Sequence, residues 1–436
     1  MRKLAIGVAL ALAVGIVERA VWRVEMNVNG FGGDAKQYYT VAQSLSAKRM
    51  LSFDGTTPEW TRLPGYPVLL WALQLPPEND RAAGRRWLTR AQWLNLLLDV
   101  ALAGLVVLLG RALGAGRWAW AGGAAWILQP WATLAATIPL SDLTGSFLDV
   151  ACLVAALWAG SGRARRFVLP GALAAAAQYV RGDAILLVPV IALAAVLRRN
   201  WRGAALGVSA YLVLFSAWPV RNLALFGTPH WLGGGTNIDA RGGYFDRGAV
   251  MAWMRTWAAS AQATVGVGWR FPFRPVTLAD LPPGAVDAEE LPELRDILSR
   301  YSAAGGRLDD ALRGRLSQLA DARARRHPLG TFVLLPLRRM ALMLFPPRDG
   351  FGLGPLPALV TLRPLYIAGD ALLTVAALVA LFFTRRKKPT QLVGAYLGLR
   401  LLLMGWMPTS EPRYFLPALP AVYALAAALP GSRRTA

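Results

Sequence analysis

The sequence predicts an all-α polytopic membrane protein, and three features lead to that class. Of the 436 residues, 55% are hydrophobic and 17% are charged, with a mean hydropathy of +0.39. Apolar runs long enough to cross a hydrocarbon core of about 30 Å recur along the chain. Basic clusters occupy alternate connections between those runs. A soluble protein of this length would carry more charge.

The apolar runs predict about ten transmembrane helices. They cover residues 4–21, 93–109, 119–138, 144–159, 167–180, 184–197, 204–218, 365–383, 392–407 and 415–429. Because ten is even, both termini are expected on one side of the membrane. The first run ends at Glu18 and Arg19 without a small-residue cleavage site, so we interpret it as an uncleaved helix.

The short connections on one predicted side carry basic residues without acidic ones. These residues are Arg2, Lys3, Arg111, Arg117, Arg163, Arg165, Arg166, Arg198, Arg199, Arg202, Arg385, Arg386, Lys387, Lys388, Arg433 and Arg434. By the positive-inside rule this side is cytoplasmic, and the first loop faces outward. A net charge of +22 alone would suit nucleic acid, but clusters that alternate with spans form no single groove, so no nucleic-acid partner is expected.

Three regions follow from this topology. Residues 1–226 form an N-terminal transmembrane core whose first outer loop covers 22–92. Residues 227–345 form an extracytoplasmic loop region, and 346–436 hold the C-terminal transmembrane helices. We therefore expect one compact membrane body with a small extracytoplasmic insertion.

Two interfacial helices are predicted. In the first outer loop, apolar residues over 34–50 share one helical face, which is typical of a helix lying along the membrane. The stretch 329–345 is apolar but is interrupted by Pro336 and two arginines, so it is placed on the membrane surface before the eighth span.

The insertion between these regions carries its own apolar stripe. Its leucines, Leu308, Leu312, Leu316 and Leu319, recur at helical spacing and predict a helix with one buried face. We expect the arginine-rich end of that helix, residues 323–326, to be solvated or to lie near lipid headgroups. The single cysteine, Cys152, lies within an apolar run and is expected to be a core residue.

Carboxylates at the outer border are the first candidates for chemistry, because polar groups at a membrane boundary need a reason. Asp34 begins the first interfacial helix, where the backbone N–H groups of a first turn favour a carboxylate. Asp142 follows the third run in the same way. Each can be a helix cap, or the two can converge on one site, and their spacing leaves both interpretations open.

Two arginines on the outer side stand beside acids. Arg181 is close to Asp183 between two short runs, where an internal ion pair is the simplest interpretation. The alternative is that Arg181 faces an anion, since a guanidinium matches phosphate geometry. Near the C-terminus, Arg413 either pairs with Glu411 or points into the same outward cavity.

Two further arginines adjoin turn-forming segments. Arg62 precedes the Pro-Gly-Tyr-Pro sequence at 64–67. Arg221 and Asn222 precede a glycine-rich loop at 233–237. Such a loop can offer backbone N–H groups to an anion or hydrogen bonds to a sugar, and it can also be a plain turn.

Taken in order, these pieces resemble the GT-C superfamily of polytopic glycosyltransferases. The similarity is to the bacterial branch related to protein O-mannosyltransferases and to the aminoarabinose transferase that modifies lipid A. It covers nearly the whole chain and rests on an ordered set: Asp34 with Tyr38 and Tyr39, Arg62 to Pro67, Asp142, Arg181, Trp218 to Asn222, Phe226-Gly227, Gly233 to Asn237, and Arg413-Tyr414.

The resemblance implies an inverting hexosyl- or pentosyltransferase with a GT-C fold. It would move a monosaccharide from a polyprenyl phosphate, such as undecaprenyl phosphate, to a hydroxyl of a lipid, glycan or protein at the outer face of the cytoplasmic membrane. Carried over by position, Asp34 is the general base, and Asp142 orients the acceptor or assists the base. Arg181, Arg221, Arg62 and Arg413 hold the donor phosphate, with Arg181 and Arg221 ahead of the other two.

The resemblance also implies a substrate-binding set. Its members are Tyr38, Tyr39, Tyr66, Asn222 and Asn237. The acidic pair found in many protein mannosyltransferases is replaced here by Asp34-Ala35, which weakens a protein acceptor. No Asp-x-Asp arrangement lies near Asp34, so no metal and no other cofactor is expected.

Two other functions fit part of the pattern. A lipid-linked sugar flippase or another transporter would also be polytopic, but such proteins show internal repeats or paired broken helices, and the sequence has no repeat. A polymerase or ligase that uses a diphosphate-linked oligosaccharide would share a large outer loop and arginines.

Overall fold

The structure is a computed structural model that describes residues 2–29, 33–73, 81–160, 163–233, 236–238, 244–246, 248–260, 263, 267–268, 271, 275–345, 357–408 and 412–432. The chain divides into two compact units. The first comprises Met1–Gly233, Pro355–Gly398 and Leu416–Ala436, and the second comprises Gly234–Gly354 and Leu399–Phe415.

Helices dominate the first 233 residues. They are α1 (Arg2–Asn29), α2 (Gly33–Lys48), α3 (Gly65–Ala72), α4 (Arg81–Ala112), α5 (Ala119–Ile127), α6 (Pro130–Thr137), α7 (Ser141–Trp158), α8 (Val168–Val180), α9 (Leu187–Val196), α10 (Trp201–Phe215) and α11 (Ala217–Phe226). Short 3₁₀ turns occupy Gly116–Trp118, Ala164–Phe167 and Gly182–Leu186.

The remaining chain adds a hairpin and seven helices among its described residues. These are β1 (Thr236–Ile238), β2 (Tyr244–Asp246), α12 (Gly248–Arg255), α13 (Leu291–Ala303), α14 (Asp310–Arg326), α15 (Leu335–Leu344), α16 (Pro357–Thr384), α17 (Lys388–Trp406) and α18 (Leu419–Ser432). The strands pair antiparallel, with Asn237 opposite Phe245. The all-α prediction is therefore corrected by one short hairpin.

The protein is a membrane protein by the length and composition of its helices. Six helical segments in the described part are long and apolar enough to cross a bilayer: Ala5–Arg23, Arg86–Ala112, Ser141–Trp158, Trp201–Phe226, Pro364–Thr384 and Arg413–Gly431. A shorter apolar helix covers Gly182–Val196. The count of ten spans stays a prediction, as do the interfacial positions of α2 and α15, although both stretches are helical as expected.

The predicted span over 119–138 is interrupted, and local chemistry explains the break. Gln129 has an extended backbone, and its side chain accepts a hydrogen bond from the Trp131 N–H, which makes it the N-cap of α6. Pro130 follows as the first residue of that helix. Proline favours the first helical position and cannot continue a preceding helix, so α5 ends and α6 begins here.

A buried arginine from α1 completes the end of α5. Arg19 donates to the Ile127 carbonyl at 2.6 Å, which satisfies an acceptor that the end of the helix leaves open. The same guanidinium pairs with Asp99 of α4, whose other oxygen accepts from the Trp126 ring N–H at 2.7 Å. One charged contact thus joins α1, α4 and α5.

The second unit has its own apolar core. It is built from Trp253, Phe271, Tyr301 and the predicted leucine stripe, all of which are buried. The expectation of a solvated end of α14 was wrong for Arg323, which is buried, whereas Arg325 and Arg326 are exposed as expected. It donates to the carbonyls of Gly284 and Ala285 and to Glu290, while Arg326 pairs with Glu289.

Truncation of the stripe tests this core. Leu316 is fully buried, so we expect Leu316→Ala to destabilise the second unit by about 2–5 kcal/mol, because the lost side chain leaves a cavity. Limited proteolysis of the detergent-purified chain measures this as faster cleavage within the second unit. The matched control is Gln318→Ala, an exposed position on the same helix. Equal cleavage of both variants would contradict the assigned packing.

Candidate functional site

Asp34 and Arg62 form a partly buried ion pair in the first unit. Asp34 lies in the first turn of α2, as predicted, and its Oδ1 accepts from Arg62 Nη2 at 2.7 Å. Arg62 Nε also donates to Gln37 Oε1, one turn further along α2, at 3.0 Å. The Asp34 side chain keeps 16% of its exposure, so a ligand can reach the carboxylate.

Tyr38 connects this pair to the start of α7. Its ring lies 5.1 Å below the Arg62 guanidinium carbon, and its hydroxyl is 2.8 Å from the Ser141 hydroxyl. Tyr66 packs edge-on against the same ring, with centroids 5.1 Å apart. Ser141 directly precedes Asp142. Tyr38 therefore joins α2, which carries Asp34, to α7, which carries Asp142.

Asp142 belongs to a second cluster of charges. It lies in the first turn of α7 but is not the N-cap residue, which is Leu140. Its Oδ1 accepts from Arg181 Nη1 at 2.6 Å. The other edge of the Arg181 guanidinium meets both oxygens of Asp183, at 3.1 and 3.0 Å. The internal ion pair considered for Arg181 is therefore present, and it includes Asp142.

Two glycines allow the backbone to approach closely enough for these contacts. A Cβ on Gly145, one turn after Asp142, would lie 2.3 Å from Arg181 Cδ. A Cβ on Gly65, at the start of α3, would lie 2.7 Å from the carbonyl of Tyr179. The Arg181 side chain can lie across α7 because Gly145 has no side chain to occupy that surface.

Arg221 and Asn222 hold the segment that leads to Arg62. Arg221 Nη1 donates to the Glu59 carbonyl at 2.9 Å and to Asn222 Oδ1 at 2.7 Å, and its guanidinium lies 4.8 Å from the Trp218 ring. Asn222 in turn donates to the His230 carbonyl at 3.2 Å.

Residues 59–62 are also held by an aromatic stacking contact and by the carboxylate of Glu59. The ring of His230 stacks on Trp60 at 3.6 Å, and burial lowers the pKa of that imidazole. Glu59 is fully buried, and its Oε1 accepts from the Arg62 backbone N–H at 2.9 Å. Residues 59–62 therefore link the Arg221 contacts to the Asp34–Arg62 pair.

Three of the predicted substrate-binding residues, Tyr39, Tyr66 and Asn222, are packed against other side chains or buried. Tyr39 packs on Trp87 of α4, with ring centroids 4.7 Å apart, and accepts from Gln43 at 2.7 Å. Tyr66 and Asn222 are fully buried, so contact with a substrate would require their surroundings to open.

Asn237 and Arg413 belong to the second unit. Asn237 lies in strand β1 and not in the predicted loop. Arg413 lies over the Tyr414 ring at 5.1 Å. The predicted partner Glu411 lies outside the described residues. The roles expected for Asn237 and Arg413 remain predictions.

Sequence reasoning missed four residues that organise the site: Gln37, Glu59, Ser141 and His230. Gln37 carried a signal, because it follows Asp34 by three positions and so shares its helical face. Ser141 stands beside Asp142 and could have been noted with it. The contacts of Glu59 and His230 join segments far apart in sequence, which no local pattern reveals.

An apolar groove of about 540 Å³ lies in the first unit. Its walls come from α3, α4, α7 and α8 and include Val68, Leu98, Phe147 and Ala176. Other lining residues stand within two positions of the charged ones in the sequence: Pro64 of Arg62, Thr144 of Asp142 and Val180 of Arg181. The charged side chains themselves do not line the groove, whose lining thus includes their neighbours along the chain.

Within the described ranges, no group of three or more His, Cys, Asp or Glu side chains is placed to hold a metal ion. The expectation of a metal-free site rests on the sequence pattern and stays a prediction.

The fold is similar to that of the archaeal oligosaccharyltransferase AglB from Archaeoglobus fulgidus in complex with an inhibitory peptide and a dolichol-phosphate, with a TM-score of 0.50 and 13% identity over 96% of this chain and 50% of that one. The oligosaccharyltransferase of the same organism in complex with zinc and sulfate has a TM-score of 0.49 and 13% identity, over 96% of this chain and 48% of that one.

The chain spans about half the length of these solved structures. No known family profile matches the sequence, and no curated protein matches it significantly. The likeness at this identity concerns the fold, and the narrower similarity to bacterial mannosyl- and aminoarabinose transferases stays a prediction.

The bare surface of α7 is open to a direct test. We expect Gly145→Val to destabilise the first unit by about 1–3 kcal/mol, because the new side chain overlaps Arg181 and displaces it from Asp142. Thermal unfolding in detergent measures the change. Gly104→Val on α4 is the control, since a Cβ there meets nothing within 4 Å. Equal unfolding midpoints for the two variants would show that Arg181 does not lie across α7.

Proposed function

We propose that the protein is an inverting membrane glycosyltransferase that moves a monosaccharide from a polyprenyl phosphate to a hydroxyl acceptor. The observation that carries this proposal is the joining of Asp34–Arg62 and Asp142–Arg181 through Tyr38 and Ser141, beside an apolar groove. The proposed place is the cytoplasmic membrane, with both termini inside and the site facing outward.

The reaction needs a base, a leaving group and a positive charge. The acceptor oxygen attacks the anomeric carbon, the bond from that carbon to the phosphate oxygen breaks, and the hydroxyl proton passes to Asp34. Attack opposite the leaving group inverts the configuration. A single positioned carboxylate suffices for the proton, and guanidinium groups stabilise the charge that develops on the phosphate.

The ion pairs suggest how the donor prepares the base. Arg62 is bound to Asp34 in the described structure, so a lipid phosphate that binds Arg62 must compete with that carboxylate. When the phosphate displaces Asp34 from Arg62, the Asp34 carboxylate becomes able to accept a proton. Arg181 is shared by Asp142 and Asp183, so a phosphate meets two competing carboxylates there. We therefore place Arg62 ahead of Arg181 as the phosphate ligand, with Arg221 and Arg413 as further candidates.

The apolar groove supplies what a lipid-linked donor requires. A polyprenyl chain must leave water and remain close to its phosphate, and the groove walls are apolar up to the residues beside Arg62 and Arg181. The AglB structure with a bound dolichol-phosphate has a similar fold, which supports a lipid phosphate as donor for this chain too.

The proposed base is tested by Asp34→Asn. We expect a loss of turnover of about 10²–10⁴-fold with a polyprenyl-phosphate sugar, because the amide cannot accept the proton. The assay is sugar release from the purified donor by folded protein. Asp54→Asn is the control, since Asp54 lies in the same loop and its Oδ1 caps the N–H groups of Thr56 and Thr57, a contact an amide oxygen retains. Full activity of the Asp34 variant would remove this residue as the base.

The proposed lipid groove is tested by Ala176→Trp. Ala176 is exposed in the groove on α8, and the larger ring narrows the path of a long chain. We expect kcat/KM to fall at least roughly tenfold for a long-chain donor but little for a short-chain analogue, because only the long chain loses apolar contact. Leu169→Trp, exposed on the same helix and outside the groove lining, is the control. An equal loss with both donors would place the chain elsewhere.

A further inference from the structure

A second groove in the first unit is lined by none of the residues of the candidate functional site. Its volume is about 380 Å³, and it runs between the α5–α6 break and α16. Leu128, Leu365 and Leu373 give it apolar walls, while Gln129 and Asp370 supply polar groups. Asp370 lies on α16, and α1 carries a second acid, Glu18, behind the groove wall. Both helices contain apolar segments long enough to cross a membrane.

Asp370 is the residue that needs explanation. Its carboxylate accepts from Gln129 Nε2 at 2.7 Å and from the Tyr423 hydroxyl at 2.7 Å. Both partners are neutral, and among the described residues no cationic side chain forms an ion pair with Asp370. A carboxylate within a membrane span is costly unless a cation compensates it. The groove opens directly onto this acid.

A second acid stands behind the groove wall. The hydroxyl of Tyr366, a lining residue, donates to Glu18 Oε1 of α1, and Glu18 Oε2 is buried without a hydrogen-bond partner in the described structure. At 1.5 Å per residue, Glu18 lies about 8 Å from the Arg23 end of its apolar segment, and Asp370 lies about 9 Å from the Pro364 end of its own. The hydrogen bond between Tyr366 and Glu18 brings these two ends together, so both acids lie toward the same end of the helix pair.

We infer that this groove binds the primary ammonium headgroup of a bilayer phospholipid, an ethanolamine phospholipid. The ammonium provides the cation and the N–H donors that Asp370 calls for, and the leucine walls contact the acyl chains, which begin beyond the phosphate and glycerol of the lipid. An acyl chain alone would leave the carboxylate uncompensated. A metal ion is disfavoured because the described part of the chain has no group of three suitable ligands. The inference is independent of the proposed transferase activity.

The groove can be closed without disturbing the core. Gly369 lines it, and a Cβ at this position meets nothing within 4 Å, so Gly369→Leu projects into open groove space. Asp370→Asn removes the charge while keeping the shape of the side chain. Gly104→Leu on α4, also open around its Cβ, is the matched control for a leucine placed on a transmembrane helix.

The experiment measures lipid binding to the full detergent-purified chain by native mass spectrometry. Phosphatidylethanolamine is compared with phosphatidylcholine of the same acyl chains, which keeps the phosphate and lacks the N–H donors. We expect the parent and Gly104→Leu to prefer the ethanolamine lipid by roughly tenfold, the factor that about 1.4 kcal/mol of hydrogen bonding from the primary ammonium provides, since both lipids carry a cationic nitrogen. Gly369→Leu and Asp370→Asn should both lose this preference.

Three outcomes would overturn the inference. The first is an equal affinity of the parent for both lipids, which means that no ammonium N–H group is recognised. The second is an undiminished preference in folded Gly369→Leu and Asp370→Asn, which locates the headgroup elsewhere on the protein. The third is a loss of preference in Gly369→Leu alone, which counts against a role for the Asp370 charge. Thermal unfolding of each variant confirms that it is folded.

Discussion

Guanidinium groups that pair with acids on separate elements hold the charged residues of the first unit in place. Arg181 joins α7 to the turn after α8, and Arg62 joins the first long loop to α2. These groups are mostly withdrawn from water, where removal of one member of an ion pair is costly because the other is left uncompensated. The positions of this loop and of the turn after α8 thus depend on electrostatics as well as on packing.

The same requirement recurs elsewhere in the protein. Arg19 serves the end of α5 and Asp99, and Arg339 of the second unit is fully buried and donates to the carbonyls of Arg255, Ala258 and Gly405. In each case a planar group with five donors reaches several acceptors at once, which a lysine cannot do. The buried arginines therefore have a structural role in both units.

Local patterns predicted much of the fold. The apolar face over 34–50 placed α2 correctly, and the first-turn position of Asp34 followed from it. The leucine stripe identified the buried face of α14. These features depend on helical periodicity alone, so a single stretch of sequence contains all the information that they require.

Features that depend on distant partners were not predicted. The run of arginines at 323–326 has the composition of a solvated helix end, yet Arg323 is buried because Glu290 and two carbonyls meet it from 33 to 39 positions away. Likewise, Tyr38 and Ser141 are separated by 103 positions, so the joining of the two acidic elements was only an open alternative. The strand at Asn237 was mistaken for a loop because its neighbourhood is rich in glycine.

The interrupted third run has a consequence for how the protein can be altered. Since Arg19 caps the end of α5, the N-terminal helix is a part of the internal architecture and more than a tether to the bilayer. Exchanging it for an unrelated hydrophobic anchor would preserve insertion but would remove Arg19. The last carbonyl of α5 would then lose this donor, and buried Asp99 would lose its cationic partner. Fusion partners and affinity tags therefore belong before Arg2, where they leave this helix intact.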